Sequence, residues 1–175
     1  ESPVEIEFAI TLDRADALDL LLSSGMWTTL RTRPFGNIPA ADAAPHSIFV
    51  TAVDSNPLAP DPAVVVQGRE DDFERGIAAI AKLTDGNVYV CTAAGSSWPV
   101  PRDARIKTEQ FSGPHPSGTV GLHIHRLDPV DRHKVVWHLG YQDAIAVGRL
   151  FHRGELYVSR VVSLAVPAAK NPRLL

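Results

Sequence analysis

An apolar stripe at helical spacing, Phe73, Ile77, Ile80 and Leu83 in EDDFERGIAAIAKLTDG, lies between two β-rich runs, HSIFVTAV and NVYVCTA. Both runs are short and almost continuously apolar, the pattern of a strand buried on both faces. A helix between two such strands returns the chain to the starting end of the sheet. The strands therefore run parallel, and their two faces must both be covered.

The same alternation extends along the chain. VEIEFAI suits a short strand, after which Asp13 caps a helix through RADALDLLLSS that Gly25 stops in a left-handed conformation. MWTTLRTRPFGNIPAADAAP is predicted as a loop, and the prolines of DSNPLAPDP end the HSIFVTAV strand. In the striped helix, acids sit at the favourable amino end and Gly86 follows the last turn. RIKTEQF and KVVWHL are further strands. YQDAIAVGRLFHR is a helix stopped by Gly154, and LYVSRVVSLAV is a final long strand. The predicted class is an α/β layered fold with a mostly parallel sheet.

At 175 residues the chain suits one ordinary domain, or one with part of another. A net charge of -3 with no cluster of Lys and Arg argues against nucleic acid as a partner. Cys91, the single cysteine, excludes an internal disulfide framework and lies in an apolar strand, where an inert thiol is expected. No uninterrupted apolar run is long enough to span a bilayer, so a membrane link is expected through a partner. A start at Glu1 and a finish in AAKNPRLL read as a piece of a longer protein.

FSGPHPSGTVGLHIHRLDPV raises the question of a metal. On a strand, His123 and His125 would stand side by side; on a helix they would diverge by about 200°. The residues fit both, although Ser117 as a cap and Asp128-Pro129 as an exit favour the helix. The metal reading, a hydrolase using His123 and His125, needs further ligands from Asp128, His133 or His138, at no recognised spacing. Gly95-Ser96-Ser97 lacks both the glycine spacing and the following helix of a phosphate cradle. Trp27, Trp98 and Trp137 with Arg31 and Arg33 offer an aromatic pocket, against the more frequent outcome of core packing.

Five segments in order, SSGMWTTLRTRPFGNIPA, FVTAVDSNPLAPDP, FSGPHPSGTVGLHIHRLDPV, VVWHLGYQDAIAVGRLF and GELYVSRVVSLAVPAAKNPRLL, closely resemble the A subunits of sodium-translocating NADH:quinone reductases. The resemblance implies an internal fragment: a Rossmann-like domain over 1–152, then over 153–175 a final strand and the start of an incomplete β-grasp domain of the SLBB type. It is more distantly similar to the flavin-binding subunit of respiratory complex I and to the Rnf C subunit, whose flavin loop follows the pattern GxGGAGFPT. Here SSGMWTTLRTRPF retains only Gly25, and bulky side chains replace the glycines that let backbone approach a flavin. The flavin loop is therefore expected to be lost, and neither flavin nor NADH binding is carried over.

The resemblance further implies a peripheral subunit on the cytoplasmic face of a bacterial inner membrane, held by other subunits and especially the membrane-embedded B subunit. No cofactor is expected on the fragment itself, and its role is expected to be structural or docking rather than catalytic. Ubiquinone is a ligand of the intact complex, and a planar dicarbonyl suits aromatics and hydrogen-bond donors. The expected quinone or interface contacts are Trp27, Arg31, Phe35, His115, His123 and His125.

Overall fold

The computed structural model describes residues 13–175. The VEIEFAI strand lies outside them. The described part begins as the sequence predicts: the Asp13 carboxylate accepts the Asp16 amide, α1 runs over Arg14–Ser23, and Gly25 follows at φ 77°. Strand β1 (Arg31–Arg33) leads by way of a turn to β2 (Ile48–Ala52). The short α2 (Pro62–Val65) and long α3 (Glu70–Ile80) carry the chain to β3 (Val88–Ala93), and a loop leads to β4 (Ile106–Phe111). Helix α4 (Val120–Leu127) returns it to β5 (Val136–Gly140), which feeds directly into α5 (Tyr141–Arg153).

The five strands form one sheet in the order β1-β5-β2-β3-β4. β5, β2, β3 and β4 are parallel, and only β1 is antiparallel, with Arg31 opposite His138 and Arg33 opposite Val136. Alternation along each strand divides the core into two layers. Ile48, Val50, Val88, Val90, Trp137 and Leu139 face a layer built from α1, α3 and α5. Phe49, Cys91, Phe111 and Val136 face the opposite way, toward Ile124 of α4. The chain moves from β2 to β3 and β4 on one side, then crosses back under α4 to β5 on the other. The order therefore reverses between β2 and β5, as in a doubly wound sheet.

α3 and α5 approach backbone to backbone. A Cβ on Gly148 would lie 1.6 Å from the Asp72 carbonyl oxygen, and one on Gly76 would lie 1.9 Å from the Ala144 carbonyl oxygen. The buried Asp72 carboxylate adds His152 Nδ1 at 3.3 Å and Arg153 Nε at 3.6 Å, so α3 also holds the last turn of α5 electrostatically.

Three expectations need correction. The segment predicted as a loop contains β1, a polar strand that forms because β5 supplies its ladder. The long final strand does not form: LYVSRVVSLAV contributes only β6 (Ser163–Leu164), paired with β7 (Arg173–Leu174). Gly86 follows the last turn as expected, since α3 continues into a 3-10 turn over Ala81–Leu83, and its hydrogen has a second role. It meets the His46 carbonyl oxygen, where a Cβ would lie at 1.8 Å. Ser117 does not cap α4, whose N-cap is Thr119; the Ser117 hydroxyl donates to the Gly113 carbonyl at 2.7 Å.

Replacing Gly148 with Ala forces a side chain into backbone and should destabilise the domain by about 2 kcal/mol or more. Gly121→Ala, on α4 with open space around its Cα, should cost nothing measurable by urea unfolding. Equal midpoints for the two variants would show that the helices tolerate separation.

Candidate functional site

In an open α/β sheet the carboxyl ends of the strands flanking a reversal form the usual ligand crevice. Here that crevice lies beyond β2 and β5. On the β5 side stands Tyr141, buried against Trp98 at 6.0 Å between ring centres, with Trp98 in turn 4.8 Å from Phe73. The chain after α5 folds back along that helix: Arg149 meets Glu155 at 3.0 Å and lies over the Tyr157 ring. It ends across the helix amino terminus. Val161 donates to Gln142 Oε1 at 2.8 Å and accepts from Gln142 Nε2 at 3.0 Å, while Arg160 pairs with Asp143.

The electrostatics of this crevice oppose a phosphate. Gly140 donates to Asp143 Oδ2 at 3.2 Å, so a carboxylate already sits at the amino end of α5. Burial pushes the Tyr141 hydroxyl above its ordinary pKa, the Gln142 hydrogen bond and Arg160 oppose that shift, and Asp54 and Asp61 add to it. Just before β1, the Met26–Thr29 turn directs Trp27 inward. No backbone cradle opens toward a ligand, because the Trp27 ring packs edge-on against Trp137 at 5.4 Å and its N–H donates to the Pro39 carbonyl at 2.8 Å.

The residues expected at a site do not converge. Trp27 is 5% exposed and belongs to the core, as do Trp98 and Trp137. His115 sits in the turn before α4, with Nδ1 3.1 Å from Ser55 Oγ, which also accepts the Gly118 amide at 2.8 Å. His123 is fully buried on α4, with its ring 4.0 Å from Phe111 and Nε2 donating to the Ser117 carbonyl at 2.8 Å. Burial holds its pKa below the usual histidine value, although that bond acts in the opposite direction. His125, on the same helix, is exposed. The helical geometry thus separates the two imidazoles, and among the described residues no three His, Cys, Asp or Glu side chains gather at metal-binding distance. Asp128, nominated as a ligand, is occupied by Ser47 at 2.6 Å, His46 at 2.8 Å and Lys134.

Two other regions are open. Phe35 is 87% exposed at φ 81°, an unusual backbone for a bulky residue, beside a groove of about 370 Å³ lined by Pro34, Ile38, Pro39, Val135 and Trp137. Thr32 and Trp137 place this groove on the side of the sheet that carries α1, α3 and α5. On the opposite face, Arg31, Arg33 and His138 stand together at the β1–β5 edge. Burial, then Arg33 and Arg31, lower the His138 pKa to about 4. No spacing in the sequence announces this cluster, because only the antiparallel pairing of β1 with β5 assembles it.

A group whose pKa is depressed on folding contributes stability at high pH that is lost as pH falls. Stability should therefore decline as pH drops from about 6.5 toward the folded value of about 4, and His138→Gln should flatten that part of the curve. NMR of the His138 ring should show no protonation between pH 5 and 8; a midpoint near 6.5 would contradict the environment described.

A family model, the NqrA second alpha/beta domain, matches residues 12–156. The chain is 51% identical over 174 residues to the A subunit of the Na(+)-translocating NADH-quinone reductase of Hahella chejuensis, covering 99% of this chain and 38% of that protein. It is 56% identical over 155 residues to the protein of the same name from Pasteurella multocida, covering 89% and 35%. For Rhodopirellula baltica the match is 49% over 166 residues, covering 95% and 36%. The chain spans well under half the length of these relatives.

Proposed function

This chain belongs to the family of NqrA second α/β domains, and on that premise we propose that it is a redox-inert structural and docking domain of a sodium-translocating NADH:quinone reductase, within its A subunit. The intact assembly would oxidise NADH, reduce ubiquinone and move sodium, with the chemistry carried by other subunits. The domain would bind no flavin of its own. It would sit on the cytoplasmic face of the inner membrane, held by partners that include the membrane-embedded B subunit. None of the helices described is long and apolar enough to cross a membrane, so attachment would run through those partners. Residues 153–175 would lead into a β-grasp domain, for which β6 and β7 supply the first pairing.

The observation that carries the docking role is the occupied crevice between β2 and β5. A flavin or dinucleotide site needs close backbone and free helix-terminal amides. This chain places Tyr141, Asp143, Arg160 and Val161 there instead. That arrangement agrees with a lost flavin loop in a domain distantly related to the flavin-binding subunit of complex I. The full-length protein containing this chain, titrated with flavin mononucleotide, should show no stoichiometric change in its visible spectrum. Tight one-to-one binding would contradict the reading.

A second role, contact with the quinone, is favoured by one observation: the exposed Phe35 ring beside a groove of head-group size whose apolar walls also carry Asp131 and Arg132. Of the residues expected to contact quinone, Phe35 is the one that stands beside this groove. An azidoquinone on the intact complex should label residues 31–38, and Phe35→Ala should reduce that label several-fold. Labelling confined to other subunits would overturn this second reading and leave the first intact.

A further inference from the structure

Two arginines alternate on β1, at positions 31 and 33, and both point to the sheet face that α4 covers over β2, β3 and β4 and at Val136. No helix packs extensively over β1. Among the described residues neither arginine makes an ion pair. Arg31 donates to the Thr28 and Leu30 carbonyls, which satisfy hydrogen bonds without neutralising charge. Among the described residues, Arg33 Nε and, on the same face, His138 Nε2 are buried without partners. An unpaired buried guanidinium N–H beside two uncompensated charges is costly unless an anion arrives.

The way in is restricted. The outer edge of β1 is already occupied, since Thr32 donates to the Asn37 carbonyl at 2.8 Å and accepts from the Gly36 amide at 2.8 Å. A partner cannot extend the sheet there and must lie across its face. Side chains two apart on a strand share a face, spaced at about 6.5 Å, so the matching element carries carboxylates at a similar interval. A guanidinium grips a carboxylate through paired hydrogen bonds.

We propose that the face formed by Arg31, Arg33 and His138 is a docking surface for an acidic polypeptide segment of another subunit. The inference rests on the docking role above and names the surface and the chemistry of its partner. It is separate from the Phe35 groove, which opens on the other side of the sheet.

The test uses the full-length protein that contains this chain and membranes holding the remaining subunits but stripped of this one. Arg31→Gln with Arg33→Gln should weaken rebinding about tenfold or more at low salt, with the difference from the wild type closing near 1 M salt, where charge pairs are screened. Arg33→Lys keeps the charge and should retain part of the affinity. Arg102→Gln, a substitution away from β1, should change nothing. Thermal unfolding of each variant separates lost docking from lost folding, and the single substitutions replace the double one if it does not fold.

Equal rebinding of the double variant and the wild type would overturn the proposal while leaving the docking role standing. Failure of the wild-type protein to bind the stripped membranes would overturn both. Vesicles of phosphatidylglycerol and phosphatidylethanolamine serve as a further probe: binding to them with the same arginine dependence would assign the anion to a lipid headgroup and reject the polypeptide partner.

Discussion

The contact between α3 and α5 sets the rest of the architecture. With hydrogen alone on Gly76 and Gly148, each helix backbone touches the other, and the Asp72 carboxylate adds charge to that contact at His152 and Arg153. α5 follows β5 without an intervening loop, so the place where α5 rests on α3 also determines where β5 enters the sheet. That place is beside β2, which makes the chain order reverse there. A side chain at either glycine would push α5 outward and loosen β5, the strand that β1 pairs with among the described residues.

The same placement decides what the crevice can hold. Because α5 begins at the carboxyl end of β5, its first residues project into the position where doubly wound sheets receive a nucleotide or flavin. Tyr141 fills it toward Trp98, Gln142 clasps the returning chain at Val161, and Asp143 answers the helix amides and Arg160. With Tyr141 and Asp143 already engaged there, two features of the β1–β5 edge stand out. They are two arginines without an ion pair among the described residues on one face and an exposed phenylalanine beside a groove on the other.

What could be read from the sequence follows from where the energy of each element comes from. The parallel strands and α3 were legible because apolar burial dominates them; Phe73, Ile77, Ile80 and Leu83 are all buried as their spacing requires. The divergence of His123 and His125 was decidable once a helix was favoured. β1 was not legible, since Arg-Thr-Arg carries no apolar signal and its stability comes from a ladder to residues more than a hundred positions away. LYVSRVVSLAV misleads for the opposite reason: its alternation suits a strand, but the chain spends its first half along α5 instead of beside a partner. The His46, Ser47, Lys134 and Asp128 network, and the cluster of Arg31, Arg33 and His138, depend on the folded topology and have no local signature.

The proposed docking role assigns the work of this domain to the outer edge of its sheet. Hydrogen exchange on the full-length protein, measured in isolation, within the complex, and with added NADH or flavin mononucleotide, tests this directly. The amides of residues 31–33 should gain protection on assembly, and those of residues 53–55 and 140–142 should not respond to either nucleotide. Protection appearing at 53–55 and 140–142 on nucleotide addition, with none gained at 31–33 on assembly, would contradict it.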